Sequence, residues 1–230
     1  MKKKVNFSKL LYFTVLTSFV LPIAFLIGKI VLISTDVITD HRAISDYTLM
    51  LLECVLGIVV IHLPAFLEKK FSFEIPKTLY IMYLVFLYCA ITLGEVRNFY
   101  YIVPHWDTTL HGFSSLMSGA FGFMVVDILN KDKHTTFNLS PIFVAVFAFC
   151  FGATIGTVWE IYEYSFDALL GLNMQKFRLE DGTQLIGHAA LSDTMKDIIV
   201  DSIGALLASI IGYFNLKIEK HKIKSKMNKN

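Results

Sequence analysis

Six long apolar runs divide this chain, and polar connections separate them. They lie near residues 10–34, 47–67, 79–95, 107–129, 139–165 and 193–216. A helix needs about 20 apolar residues to cross a hydrocarbon core roughly 30 Å thick, and every run approaches or exceeds that length. The pattern therefore predicts an all-α, polytopic membrane protein with six transmembrane helices, numbered here as spans 1 to 6.

Spans 4 to 6 differ from the others because each carries a stripe of small residues that becomes acidic toward one end. Positions three or four apart share a helix face, and small faces let membrane helices approach closely. The stripes are Asp107, His111, Ser115, Gly119 and Gly122; Gly152, Gly156, Glu160 and Glu163; and Asp193, Asp197, Asp201, Gly204, Ala208 and Gly212. We expect spans 4 to 6 to form a close-packed core with a polar outer cavity.

Composition supports a single integral membrane domain over residues 1–230. Hydrophobic residues make up 55% of the chain and charged residues only 17%, whereas soluble domains carry about 25% charged residues. Spans 1 to 3, within residues 1–95, lack small stripes and are expected to be peripheral helices around the core at 96–216. The first run is too long for a signal peptide and no small-x-small cleavage site follows it, so we expect a retained anchor.

The distribution of Lys and Arg predicts the orientation, because cytoplasmic connections of membrane proteins are enriched in both. The N-terminus, the connections after spans 2 and 4, and the tail carry 15 of the 21 Lys and Arg residues. We therefore expect a multi-pass protein of the cell membrane with both termini in the cytoplasm. The basic tail at 217–230 is interpreted as a topology anchor that meets anionic lipid heads, rather than as a nucleic-acid site.

Two further charges lie inside the predicted spans. Lys29 and Glu53 both fall in the outer third of their helices. A mutual ion pair would compensate two charges that are otherwise costly in a membrane.

The polar residues of the stripes are the candidate catalytic and metal-ligating residues. They form the helically spaced pairs Asp107 and His111, Glu160 and Glu163, and Asp193 and Asp197. Five carboxylates and an imidazole cannot all stay ionised in a dry cavity without a cation or shared protons. A divalent metal is the most economical compensation: carboxylates suit Mg²⁺ and Mn²⁺, and the imidazole also allows Zn²⁺.

Some of these residues have a simpler interpretation. Asp107 and Asp193 are placed as N-caps, where an acidic side chain stabilises the first helical turn. His105 and His188 lie just before spans 4 and 6 and favour solvated loop positions over added ligands. Capping does not explain His111, Glu160 or Asp197, which lie inside the helices.

The order of these motifs resembles the YjdF-type family of bacterial inner-membrane proteins. The matching residues, within about 94–212, are Asp107 to His111-Gly112, Glu160-Ile-Tyr-Glu163, and Asp193-Thr194 to Asp197 followed by Gly204-Ala205. The resemblance implies a polytopic fold and no known activity, and Asp201 is not part of the pattern. The order is also similar to that of the VanZ-like family, one of whose members is associated with teicoplanin resistance, but Glu163 and Asp197 stand where that family has amides.

Three functions remain open from the sequence. The first is a metal-dependent enzyme acting on a lipid or cell-envelope precursor at the outer leaflet, with membrane lipids as partners. The second is an ion- or proton-coupled transporter, which the lack of an inverted repeat and of a broken helix pair disfavours. The third is a structural membrane protein whose polar core only fixes helix packing.

Overall fold

The computed structural model describes residues 6–40, 42–131, 139–179 and 181–227. Its helices are α1 (Phe7–Ser34), α2 (Ile44–Val60), α3 (Leu63–Phe71), α4 (Lys77–Leu87), a π-helical segment (Tyr88–Val96), α5 (Phe99–Ile102), α6 (Trp106–Lys131), α7 (Pro141–Leu170) and α8 (His188–Met227). The described residues contain no strand, only an isolated bridge between Arg178 and Gln184. The all-α prediction is confirmed. Five lysines used for the orientation, Lys2, Lys3, Lys4, Lys133 and Lys229, lie outside the described residues.

Six helical stretches of the described chain are long and apolar enough to cross a membrane. They are Phe7–Ser34, Ile44–Phe71, Lys77–Val96, Trp106–Leu129, Pro141–Leu170 and His188–Lys222. Each contains or closely follows one of the predicted runs, so the six-span, multi-pass prediction is confirmed. The sixth helix extends well past its apolar run, because its C-terminal part contains neither proline nor glycine after Gly212.

Two spans are less regular than expected. The second span is interrupted at Ile61 and His62, and α3 begins with Pro64 in its first turn. Proline is tolerated there because the first helical amides have no intrahelical acceptor. The third span changes from α-helix to π-helix after Leu87. The second span is therefore built from two consecutive helices, α2 and α3.

The chain divides into two compact units. The first contains the described residues up to Leu110 together with Glu160–Met195. The second contains His111–Trp159 and the described residues from Lys196 onward. The divisions fall within α6, α7 and α8, so each of these helices contributes residues to both units.

The first unit has a hydrophobic core of its own, built from spans 1 to 3. Phe19 of α1, Cys54 of α2 and Leu84 of α4 are fully buried in it. Gly57 permits a close approach of these helices, since a Cβ there would lie 2.8 Å from the Ile91 side chain and 2.9 Å from that of Phe19. Spans 1 to 3 therefore pack on one another, and their peripheral placement stays a prediction.

In the second unit, small residues bring segments of α6, α7 and α8 into contact. A Cβ on Gly119 would lie 2.7 Å from Ala208 Cβ, and one on Gly152 would lie 2.8 Å from Ala205 Cβ. Real Cβ atoms do not approach this closely, so these contacts require glycine. The predicted role of the small stripes in close helix packing is confirmed within this unit.

Replacing Gly204 by leucine should destabilise the protein. A Cβ at this position would already lie 2.9 Å from the Gly112 carbonyl oxygen and 3.2 Å from Ser115 Cβ. We expect a loss of about 3 kcal/mol or more, and a fall in Tm of roughly 10 °C in detergent. Gly28→Leu is the matched control because a Cβ on Gly28 meets nothing within 4 Å. Equal Tm values for the two variants would contradict the packing.

Candidate functional site

Three buried polar side chains of the second unit form the candidate site. α6 supplies His111, and α8 supplies Asp197 and Asp201, which are one helical turn apart. Their exposed fractions are 7%, 3% and 1%. Residues of these types are seldom buried this completely unless they are paired with a charge or bind a ligand.

His111 lies close to both aspartates. His111 Nδ1 and Asp201 Oδ2 are 3.2 Å apart, which is hydrogen-bond distance. A ring nitrogen of His111 also lies within 4.8 Å of a carboxylate oxygen of Asp197. Asp201 Oδ1 is buried and has no hydrogen-bond partner among the described residues. A buried acceptor without a partner costs about 1–3 kcal/mol, and more when it is charged.

Gly156 of α7 makes room for this carboxylate. A Cβ on Gly156 would lie 2.6 Å from Asp201 Cγ and 2.7 Å from Asp201 Cβ. Any larger residue would therefore displace the Asp201 side chain. The sequence left the role of Asp201 open. Its spacing of four residues from Asp197 and its position on the small stripe were the signals that it belongs here.

The other predicted site residues, Asp107, Glu160, Glu163 and Asp193, lie in the first unit. Glu160 is 3% exposed, whereas the other three are half-buried. A single site built from all six predicted residues stays a prediction. The structure brings His111 and Asp197 together, and adds Asp201 to them.

Helix boundaries decide between the alternatives for two of these aspartates. α8 begins at His188, five residues before Asp193, so the N-cap interpretation of Asp193 is wrong. Gly187 precedes the helix with a φ of 61°. α6 begins at Trp106, so Asp107 is not its N-cap either; it lies in the first turn, where a negative charge still interacts favourably with the helix dipole. His105 and His188 are both exposed, as expected of histidines outside a buried site.

A second polar group lies in the first unit, and sequence reasoning missed it. Lys176, in the connection between α7 and α8, places Nζ 2.7 Å from Oε1 of Glu95. Glu95 is the penultimate residue of the π-helical segment and is 7% exposed. The same Nζ lies over the rings of Tyr100 and Tyr101, at 4.6 and 5.5 Å from their centroids. The sequence offered one indication of this pair: Glu95 lies near the end of the third span, and Lys176 lies in a connection on the same predicted side of the membrane.

Electrostatics keeps this lysine charged. Burial lowers the pKa of Lys176, but the charge of Glu95, the interaction with Tyr101 and the hydrogen bond to Glu95 outweigh burial, so the pKa is raised above its ordinary value. Burial raises the pKa of the Tyr100 hydroxyl, and the charges of Asp107, Glu53, Glu95 and Glu163 raise it further. The ammonium of Lys176 is therefore held in a negative environment.

Lys29 does not pair with Glu53, so that expectation is wrong. Lys29 Nζ donates to Asp40 Oδ2 at 2.7 Å, and the Tyr47 hydroxyl donates to the same oxygen at 2.9 Å. Hydrogen bonds from Lys29 and from the Arg42 amide lower the pKa of Asp40. Asp40 lies in the connection after α1, and this connection folds back so that the carboxylate meets Lys29. Because the prediction compared only charges inside the spans, it did not consider Asp40.

The chain is similar to other membrane proteins. A profile for a family of predicted membrane proteins, DUF2238, matches residues 21–218. The chain belongs to this family. A Thermotoga maritima protein described as uncharacterised is 28% identical over 151 residues, which cover 65% of this chain and 69% of the relative. No solved structure matches. The matched range of the DUF2238 family includes His111, Asp197, Asp201, Glu95 and Lys176.

The His111–Asp201 pair makes a prediction about stability. Asp201→Ala removes the partner that His111 has at 3.2 Å and leaves a void beside Gly156, so we expect a loss of about 1–3 kcal/mol in chelator-containing buffer. Asp201→Asn keeps an oxygen near Nδ1 and should lose less. Asp181→Asn, at an exposed loop aspartate, is the control and should leave Tm within about 2 °C. If Asp201→Ala unfolds at the wild-type Tm, the pair does not contribute to stability.

Proposed function

We propose that His111, Asp197 and Asp201 hold a divalent cation within the membrane-spanning part of this protein. The observation that carries the proposal is Asp201 Oδ1, a buried carboxylate oxygen without a hydrogen-bond partner among the described residues. The same side chain lies 3.2 Å from the His111 imidazole, which also has a ring nitrogen within 4.8 Å of an Asp197 carboxylate oxygen. A cation satisfies all three groups at once and offsets the cost of burying two carboxylates.

The donor set narrows the choice of metal. Two carboxylates favour Mg²⁺ or Mn²⁺, and the imidazole favours Mn²⁺ or Zn²⁺ over Mg²⁺. Asp107, Glu160, Glu163 and Asp193 stay sequence-based candidates for further ligands. The cation would supply Lewis-acid polarisation of a phosphoryl or carbonyl oxygen.

The function that this site supports best is metal-dependent chemistry on a lipid or envelope precursor in the membrane. The asymmetry of Lys and Arg supports cytoplasmic termini, and with that orientation His111 and Asp197 fall in the outer leaflet. The motif order supports membership of the YjdF type within the DUF2238 family. In such a reaction an Asp or Glu carboxylate would act as general base.

Metal analysis of detergent-purified protein tests the proposal. Wild-type protein should retain close to one equivalent of Mn²⁺ or Zn²⁺ after buffer exchange, and Asp197→Ala and His111→Ala should retain little. Because a ligand that binds only the folded state adds about 2.7 kcal/mol at a hundredfold excess over Kd, removing the metal with a chelator should lower the wild-type Tm. Asp181→Asn, in an exposed loop, keeps the oxygen that accepts the Thr183 amide, so it is the control and should behave as wild type.

Shared protons are the competing explanation for the buried carboxylates. In that case the protein would be free of metal, chelators would leave Tm unchanged, and Asp197→Ala would relieve repulsion and raise stability. That combination of results would exclude the metal site and leave a transporter or a structural role.

A further inference from the structure

The ammonium of Lys176 occupies a small cage in the first unit. One wall is the Glu95 carboxylate, 2.7 Å from Nζ, and the others are the rings of Tyr100 and Tyr101. Aromatic faces and a carboxylate are the groups with which proteins recognise alkylammonium ions. The walls of the cage come from Glu95, Tyr100 and Tyr101, and Lys176 supplies only the ammonium group inside it.

The membrane helices and the segment that follows them build the walls. Glu95 is the penultimate residue of the π-helical segment, and π-helical turns occur frequently at functional sites. The ring of Tyr100 packs directly on Gly94, where a Cβ would lie 3.1 Å from Tyr100 Cδ2 and closer to other ring atoms. Glycine at position 94 therefore lets the ring lie beside Glu95.

The connection after α7 presents the lysine with a fixed backbone. Asp167 accepts the amide hydrogens of Met174 and Gln175 at 2.8 and 3.0 Å. Asn173 donates to the Arg178 carbonyl at 2.7 Å and to the Tyr101 hydroxyl at 3.0 Å. The loop therefore has contacts of its own that do not involve the Lys176 side chain, so shortening that side chain empties the cage and leaves the other contacts in place.

Lys176 itself has a φ of 48°. This left-handed conformation is unfavourable for a lysine and persists only where surrounding contacts hold it. The cage also borders a cavity of about 20 Å³, whose lining includes Asn98, Asn173, Leu49 and Met50. This volume is about that of one water molecule.

We propose that Glu95, Tyr100 and Tyr101 form a binding site for one primary ammonium group, which Lys176 fills from within the chain and which accepts a free alkylammonium ion when that side chain is shortened. The site shares no residue with the proposed metal centre, and its ligand is a monovalent organic cation. By filling this site, Lys176 fixes the connection between α7 and α8 to the end of the third span.

Chemical rescue tests this inference on the full-length protein in detergent. Lys176→Ala should lower Tm by roughly 10 °C, because it leaves a buried carboxylate without its cation. Adding ethylammonium chloride should recover at least about half of that loss, whereas sodium chloride at equal ionic strength should recover much less, since sodium hydrates strongly and lacks an ammonium's donors. Equal recovery by the two salts would overturn the proposal.

Three controls separate a specific site from a general salt effect. Wild-type protein should show no ethylammonium-specific gain, because Lys176 fills the cage. Lys29→Ala removes another lysine that is 2.7 Å from a carboxylate but is more exposed and faces only one aromatic ring, at 5.8 Å, so its ethylammonium-specific gain should be clearly smaller. The double variant Lys176→Ala/Tyr100→Leu lacks one aromatic wall. It should need a severalfold higher ethylammonium concentration for the same recovery of Tm.

A double variant keeps the inference testable if Lys176→Ala does not fold. Lys176→Met/Glu95→Gln removes both charges, so it should fold with a Tm near the wild-type value and should not respond to ethylammonium. If this double variant is as unstable as Lys176→Met alone, Glu95 is not the carboxylate that the ammonium compensates, and the cage assignment is wrong.

Discussion

The packing of the Asp201 carboxylate against Gly156 is the constraint on which the candidate site depends. A carboxylate this deeply buried needs both space and a partner. Gly156 provides the space, because a Cβ there would overlap the aspartate, and His111 provides a partner at 3.2 Å. The glycine contacts of Gly119 and Gly152 hold the same helix segments together. The small stripe therefore serves helix packing and also makes room for a buried carboxylate, and Asp201 links the two.

The architecture follows from the sequence because membrane spans are specified by length and apolarity alone. Backbone polar groups must be satisfied within each span, so six apolar runs become six helices whatever their side-chain details. The extension of α8 beyond its apolar run also follows from the lack of helix breakers after Gly212. The interruption at Ile61 and the π-helical segment are different. They depend on how particular helices pack, and periodicity does not encode that.

The candidate site was only partly predictable for a related reason. His111 and Asp197 were identified because they share helical faces with glycines, and Asp201 lies on the same stripe although it falls outside the motif. Lys176 and Asp40 were missed as partners because both lie in connections, and the positions of connections depend on loop hydrogen bonds such as those of Asn173 and Asp167. Helical spacing predicts which charged residues share a face within the spans, but it does not predict which loop residues compensate their charges.

The central claim is that the imidazole of His111 and two buried carboxylates of the second unit bind one divalent cation. Electron spin echo spectroscopy of the Mn²⁺-loaded protein with ¹⁵N-labelled histidine tests it most directly, because coupling to nitrogen requires direct ligation. The account predicts coupling to one imidazole nitrogen in the wild type and its loss in His111→Gln with the fold intact. Bound Mn²⁺ without imidazole coupling, or protein that retains neither Mn²⁺ nor Zn²⁺, would contradict it.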